Sequence, residues 1–117
     1  MLKIALMIIS LNGAGEPRLS VTEAVSQTAC ERIRTTVVSV LEERNTKVLI
    51  ARCGANKLAM APYRHGAKEE EYQYLYQVRL TGKEGFRLKP LASDTACRPI
   101  TARAKMGCAL ASQAPLG

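Results

Sequence analysis

Four thiols, one imidazole and three adjacent carboxylates are the groups in this 117-residue chain with chemistry to offer, and their spacing decides which chemistry is open. Cys30, Cys53, Cys97 and Cys108 include no CxxC pair, and His65 is the sole histidine. A zinc site would need all four thiolates to converge from unpaired spacings, so disulfides or buried thiols are the expected fates. A cysteine–histidine nucleophile would need a thiol beside His65 and some means of lowering its pKa, and Tyr63-Arg64-His65-Gly66 supplies neither. Glu69, Glu70 and Glu71 would alternate between faces on a strand and fan over about 200° on a helix. They form no paired acid and base, and read as a solvated charge run. With no phosphate loop, GxSxG or HExxH, the expectation is a protein that is not an enzyme and needs no cofactor or metal.

Four cysteines allow three pairings. Element lengths single out one of them. As a helix, Cys30 to Arg44 rises about 21 Å, and as a strand, Thr46 to Cys53 returns about 23 Å, so the sulfurs of Cys30 and Cys53 can meet. Cys97 and Cys108 lie in a segment whose fold the sequence leaves open. Pairing with each other, pairing with another chain and remaining free all stay open for them.

The formal net charge is +7 and it is unevenly spread. From Arg79 onward, seven basic residues (Arg79, Lys83, Arg87, Lys89, Arg98, Arg103, Lys105) face only Glu84 and Asp94, while the first 78 residues are nearly balanced. Such a region suits phosphates or an acidic protein surface, or simply a solvated face. Tyr72, Tyr74 and Tyr76 alternate just before it. On a strand they would share a face that fits a half-buried sheet, a protein interface or, less readily, stacked bases of a single nucleic-acid strand. The candidate interaction residues are therefore Tyr72, Tyr74, Tyr76, Arg79, Lys83, Arg87 and Lys89.

These groups must be positioned by a small core with no Trp and one Phe, hence an aliphatic one that gains from cross-links. Lys3, the apolar run Ile4 to Leu11 and the small residues Gly13 and Ala14 sketch a secretory signal, yet Ser10 breaks the run and Asn12 occupies a position that wants a small side chain. Leu2 to Leu11 reads instead as a strand apolar on both faces. Asn12 to Pro17 is a turn, and Arg18 to Thr22 the second strand. Thr28-Ala29-Cys30-Glu31 has capping-box spacing, with Ser26 as a rival cap, and opens a helix over about 28–44. Its apolar stripe is Cys30, Ile33, Val37, Val40 and Leu41. Lys47 to Cys53 is a strand with Leu49, Ala51 and Cys53 on one face. Gly54 to Lys68 reads as loop, Tyr72 to Leu80 as strand, Thr81 to Gly85 as a hairpin turn, and Phe86 to Leu91 as a returning strand that Pro90 ends. Asp94 to Leu110 fits helix or strand, and 112–117 has the composition of a flexible tail. No stretch is long and apolar enough for a membrane span. The expectation is one α+β domain over 1–111: a small, mostly antiparallel sheet, the helix on one face, then a basic β-hairpin.

An apolar strand ending Ser10-Leu11-Asn12-Gly13, then Thr28-Ala29-Cys30-Glu31 opening a helix, then a strand ending Ala51-Arg52-Cys53, resembles small uncharacterised proteins of bacteria and tailed phages over residues 4–53. The resemblance implies a disulfide-capable α+β module in a phage or envelope setting. Together with the lack of a catalytic set, it points to a non-enzymatic assembly component held by disulfides, such as an accessory capsid, neck or tail protein of a tailed-phage virion, with protein partners. The alternatives are a secreted or periplasmic disulfide-bonded binding protein and a basic nucleic-acid-binding module. A virion or extracytoplasmic location follows from the first two.

Overall fold

The computed structural model describes residues 3–116; Met1 and Leu2 of the expected first strand and Gly117 of the expected tail lie outside the described residues. The elements are β1 (Lys3–Leu11), β2 (Pro17–Glu23), α1 (Gln27–Glu43), β3 (Val48–Asn56), a 3₁₀ turn (Glu69–Glu71), β4 (Tyr74–Thr81), β5 (Gly85–Leu91) and β6 (Met106–Ala111). The six strands form one mixed sheet in the order β3-β1-β2-β6-β4-β5. Every neighbouring pair is antiparallel except β2 and β6, which run parallel where Arg18 and Leu19 meet Leu110 and Ala111. The fold class is α+β.

Asn12 sets the first hairpin. Its side-chain oxygen accepts from the Ala14 and Glu16 amides at 3.0 and 2.8 Å, and Gly15 takes φ 77°. Ser26, not Thr28, caps α1 by accepting from the Ala29 amide at 3.1 Å, so the helix begins at Gln27. At the other end Asn45 turns left-handed at φ 61°. The Thr46 amide then reaches Leu41 O at 2.9 Å and the Asn45 amide Glu42 O at 3.0 Å, which satisfies two terminal carbonyls and stops the helix.

The sheet curls, bringing its two end strands together, and its inner face closes over the main core of Ala5, Met7, Ile9, Leu19, Tyr76 and Phe86 with their neighbours. On the outer face α1 packs over β1 and β3. Leu6, Ile8, Cys30 and Cys53 form a second cluster there with Ile33, Val37 and Leu41. β1 is apolar on both faces because both are covered. Val40, expected in the helix stripe, is 39% exposed at its edge. The expected phase of β3 also needs correction. A bulge between the pairs Ile9–Ile50 and Ser10–Val48 inserts one residue, so Leu49 joins Ile50 in the main core while Val48 joins Ala51 and Cys53 under the helix.

Where the curl brings β3 to β5, side chains close the seam. Arg52 Nη1 donates to the carbonyls of Thr81, Gly82 and Gly85 at 3.3, 3.0 and 3.0 Å. Gly54 lies so close that a Cβ there would sit 2.7 Å from the Glu84 carbonyl oxygen. Arg34 of α1 pairs with the Glu84 carboxylate across the same seam.

Residues 112–116 are not a loose tail. Gln113 is buried, Ala61 N donates to Ala114 O and Leu116 N to Ala59 O, both at 2.9 Å, and Met60 bridges Pro115. The composition suggested freedom, but these backbone groups find partners in the 59–61 segment. The domain therefore extends past Ala111. Pro90 does not end β5: it pairs with Tyr76 in an edge strand, where a missing N–H is tolerated.

Candidate docking face

α1 covers only half of the outer face. The register across β6, β4 and β5 lays out the rest as three rows: Met106–Arg79–Arg87, Cys108–Gln77–Lys89 and Leu110–Leu75–Leu91. Alternation sends the intervening Tyr76, Val78, Phe86 and Ala109 into the main core. Arg79, Arg87 and Lys89 are exposed, as is Lys83 in the β4–β5 turn.

The first row places two arginines at directly opposite register positions, and like charges so paired disfavour the sheet when nothing neutralises them. Nothing does: among the described residues no carboxylate pairs with Arg79, Arg87 or Lys89. Glu84, the acid nearest in sequence, is turned toward Arg34. Arg79 has instead the Met106 sulfur, 3.7 Å from Nη2, and Met106 is itself 48% exposed.

The second row carries a disulfide. Cys97 and Cys108 are bonded, with Cα atoms 6.0 Å apart. The bond fixes segment 97–100 beside β6, where Cys108 N donates to Arg98 O at 2.8 Å and Ile100 N to Cys108 O at 2.9 Å. The approach is close enough that only glycine fits at Gly107, under the backbone of Ile100. The 97–108 loop exposes three more cations, Arg98, Arg103 and Lys105. Beside the third row, Leu75, Leu110, Pro99 and the Cys97–Cys108 bond line a pocket of about 190 Å³ with Arg18 at its margin.

The other disulfide joins Cys30 to Cys53, with Cα atoms 5.9 Å apart, and lies wholly beneath α1. With all four sulfurs oxidised there is no thiolate for His65 to activate. Among the described residues no three His, Cys, Asp or Glu side chains gather as a metal site.

The three tyrosines do not form a row. Tyr76 is fully buried and its hydroxyl donates to Gln113 O at 2.7 Å. Burial, reinforced by Tyr74, pushes its pKa up to about 12. Tyr72 precedes β4, and its ring stands 6.0 Å from the Arg18 guanidinium. Burial, with Tyr63 beside it, raises its pKa as well. Tyr74 is the exposed one, at 40%. Bases cannot stack along this series, because Tyr76 is core and Tyr72 lies outside the strand against Arg18. Arg18 pairs with Glu69 and holds that carboxyl below its usual range. The Glu69–Glu71 run is thus partly engaged: Glu71 pairs with Arg64 at 2.7 Å and its other oxygen accepts from the Lys68 amide at 2.6 Å.

A second concavity of about 580 Å³ lies between α1 and the 63–72 segment. Its floor is Leu6, Ile8 and Ser20, and Arg44, His65 and Tyr72 stand around it. Sequence reasoning missed Met106, Leu110 and Leu75 as parts of a face. The alternation Met106, Cys108, Leu110 against Gly107, Ala109, Ala111 is the signal that would have found β6. No protein-family model, no curated protein and no solved structure matches this chain.

Proposed function

We propose that the protein is a non-enzymatic assembly component, stapled by two disulfides, that docks onto an acidic protein surface through the outer face of β6, β4 and β5. The observation that carries this reading is the Arg79–Arg87 pair, two opposed cations left without a carboxylate. A partner that supplies the missing charge relieves their repulsion, so binding gains what the free protein lacks. Arginine and methionine are also the residues that protein interfaces enrich, and Met106 completes the row. The disulfides suit an oxidising setting, which a virion surface and an extracytoplasmic compartment both provide. An accessory part of a tailed-phage virion is the setting that the resemblance over residues 4–53 adds.

Amine cross-linking in the native source, followed by peptide mapping, tests the reading. Lys83, Lys89 and Lys105 should link to one common protein while Lys47 and Lys57 do not. Recovery of the chain as an uncross-linked monomer, or links confined to Lys47 and Lys57, would overturn it.

A second reading, a secreted or periplasmic binding protein, is favoured by the concavity between α1 and the 63–72 segment, whose volume falls within the range of small-molecule sites. Recovery of the oxidised chain free in the extracytoplasmic fraction, with β1 retained and no cross-linked partner, favours this second reading, since Leu6 and Ile8 of β1 line the concavity; cleavage after Ala14 would remove them and overturn it.

A further inference from the structure

The docking face is polarised: cations occupy one end, and apolar side chains with a pocket occupy the other. We infer that its partner presents an extended acidic segment with one aliphatic or aromatic anchor, a deepening that rests on the docking reading above. The pocket of about 190 Å³ between Leu75, Leu110, Pro99 and the Cys97–Cys108 bond on one side and the Gly15–Arg18 turn, with its Glu16–Arg18 pair, on the other is below the range of small-molecule sites and suits a single side chain. Its walls are held: Leu75 and Leu110 are directly paired in the β4–β6 ladder, and the disulfide fixes the opposite wall to β6. Apolar anchors seated in preformed pockets dominate interface energies, with charged contacts around them setting orientation.

Spacing fixes the register of the segment. Arg79 and Leu75 are four residues apart on one face of β4, which at about 3.3 Å per residue puts the cation row about 13 Å from the anchor row. The Gln77–Lys89 row lies midway. An extended segment running along β4 repeats the same intervals, because its own side chains alternate with the same period. Carboxylates at positions k and k+2 then meet Arg79 with Arg87, and Lys89. The side chain at k+4 enters the pocket. An anchor at k+3 or k+5 points away from it.

Two different surfaces could follow from a basic face alone, so the occupant needs its own argument. A nucleic-acid strand would gain from exposed aromatic rings beside the cations, but Tyr76 is buried and Tyr74, the exposed one, alternates to the face opposite Leu75, Gln77 and Arg79. The pocket offers a phosphodiester chain little, because its one cation, Arg18, is already paired with Glu16 and Glu69. An acidic segment with an apolar residue uses both ends of the face.

The test uses the full oxidised protein and synthetic peptides of alternating composition, read by fluorescence anisotropy. The first peptide carries Glu at k and k+2 and Leu at k+4. The second has that Leu replaced by Ala, the third has it moved to k+5, and a single-stranded oligonucleotide of similar length serves as the competing polyanion. The first peptide should bind at least tenfold more tightly than the second and third. R79E/R87E should remove binding of all acidic peptides, while L75S should weaken only the first peptide, to the level of the second. All altered residues are at the surface or half-exposed, and both disulfides should map unchanged in each variant. Equal affinity for the first and second peptides overturns the anchor, as does failure of the first peptide to bind. Tighter binding of the oligonucleotide than of the first peptide overturns the acidic-segment partner in favour of nucleic acid. If in addition R79E/R87E leaves native cross-linking from Lys89 unchanged, the docking reading itself fails. If that variant abolishes the cross-link while the peptides show no preference, only the inference fails.

Discussion

Gln113 completes the ladder of Val21. Its side-chain Oε1 accepts from the Val21 amide at 2.9 Å and its Nε2 donates to the Val21 carbonyl at 2.9 Å, so a side chain stands in for the strand that β6 no longer provides. β6 meets β2 only at Arg18 and Leu19, which leaves Val21, paired with Met7 of β1 on one side, without a strand partner on the other. The same amide donates to Ala61 O at 2.7 Å and so ties three segments. Gln113→Ala leaves three backbone groups unpaired and should cost at least about 3 kcal/mol, at about 1–3 per group, as measured by urea denaturation. A loss below 0.5 kcal/mol, on the order of a surface substitution, would show that water replaces the amide.

The two disulfides should open in sequence. Cys30 and Cys53 are 0% and 1% exposed beneath α1, whereas Cys97 is half-exposed on the docking face. A dithiol titration with alkylation and peptide mapping should label Cys97 and Cys108 first, and a second, higher range should release Cys30 and Cys53. Simultaneous labelling of all four would contradict this ordering. Replacing Cys30 and Cys53 together by Ala should cost about 3 kcal/mol on the chain-entropy model.

How far the sequence foretold this molecule depends on whether an element is fixed locally. β1, α1 and the span from Cys30 to Cys53 were legible because period, caps and length act within some fifty residues. The β3 phase was not, since a bulge leaves no mark on alternation until the partner strand is known. β6 was ambiguous because Gly107, Ala109 and Ala111 are small for a reason only the fold reveals: Ile100 and the core press on that side. The cations of the candidate face could be counted in the sequence, but the opposition of Arg79 to Arg87 is a matter of register. Tyr76 left the proposed tyrosine row because the curl of the sheet closes over it.

Arg52 makes most of the hydrogen bonds that close the seam between β3 and β5, beside the Arg34–Glu84 pair. Arg52 satisfies three carbonyls at the β4–β5 turn, and the two end strands share no ladder of their own there. Arg52→Ala should cost about 1.5–3 kcal/mol, the usual worth of hydrogen bonds to a charged group. It should also raise amide exchange in β5 while leaving β1 and β2 protected, because opening of an end strand is a local event. Uniform acceleration across all strands would mean the seam has no separate existence.

Alkaline pH should probe the core through Tyr76. An unfolded tyrosine loses its proton near pH 10, while the buried one holds it to about pH 12. Between those values the unfolded chain binds fewer protons than the folded one, so stability is complete below pH 10 and falls as pH rises toward 12. Tyr72 is raised in the same direction and adds to the fall in both proteins. Tyr76→Phe removes the titrating group together with its hydrogen bond to Gln113 O, so it should be less stable than the parent at neutral pH by about 1 kcal/mol. Across pH 10 to 12, however, its stability should decline less steeply, and the two curves should converge. Denaturation midpoints measured at half-unit pH steps decide the matter. Parallel curves for the two proteins would show that Tyr76 ionises in the folded state as freely as in the unfolded one, and so is not sealed within the curled sheet.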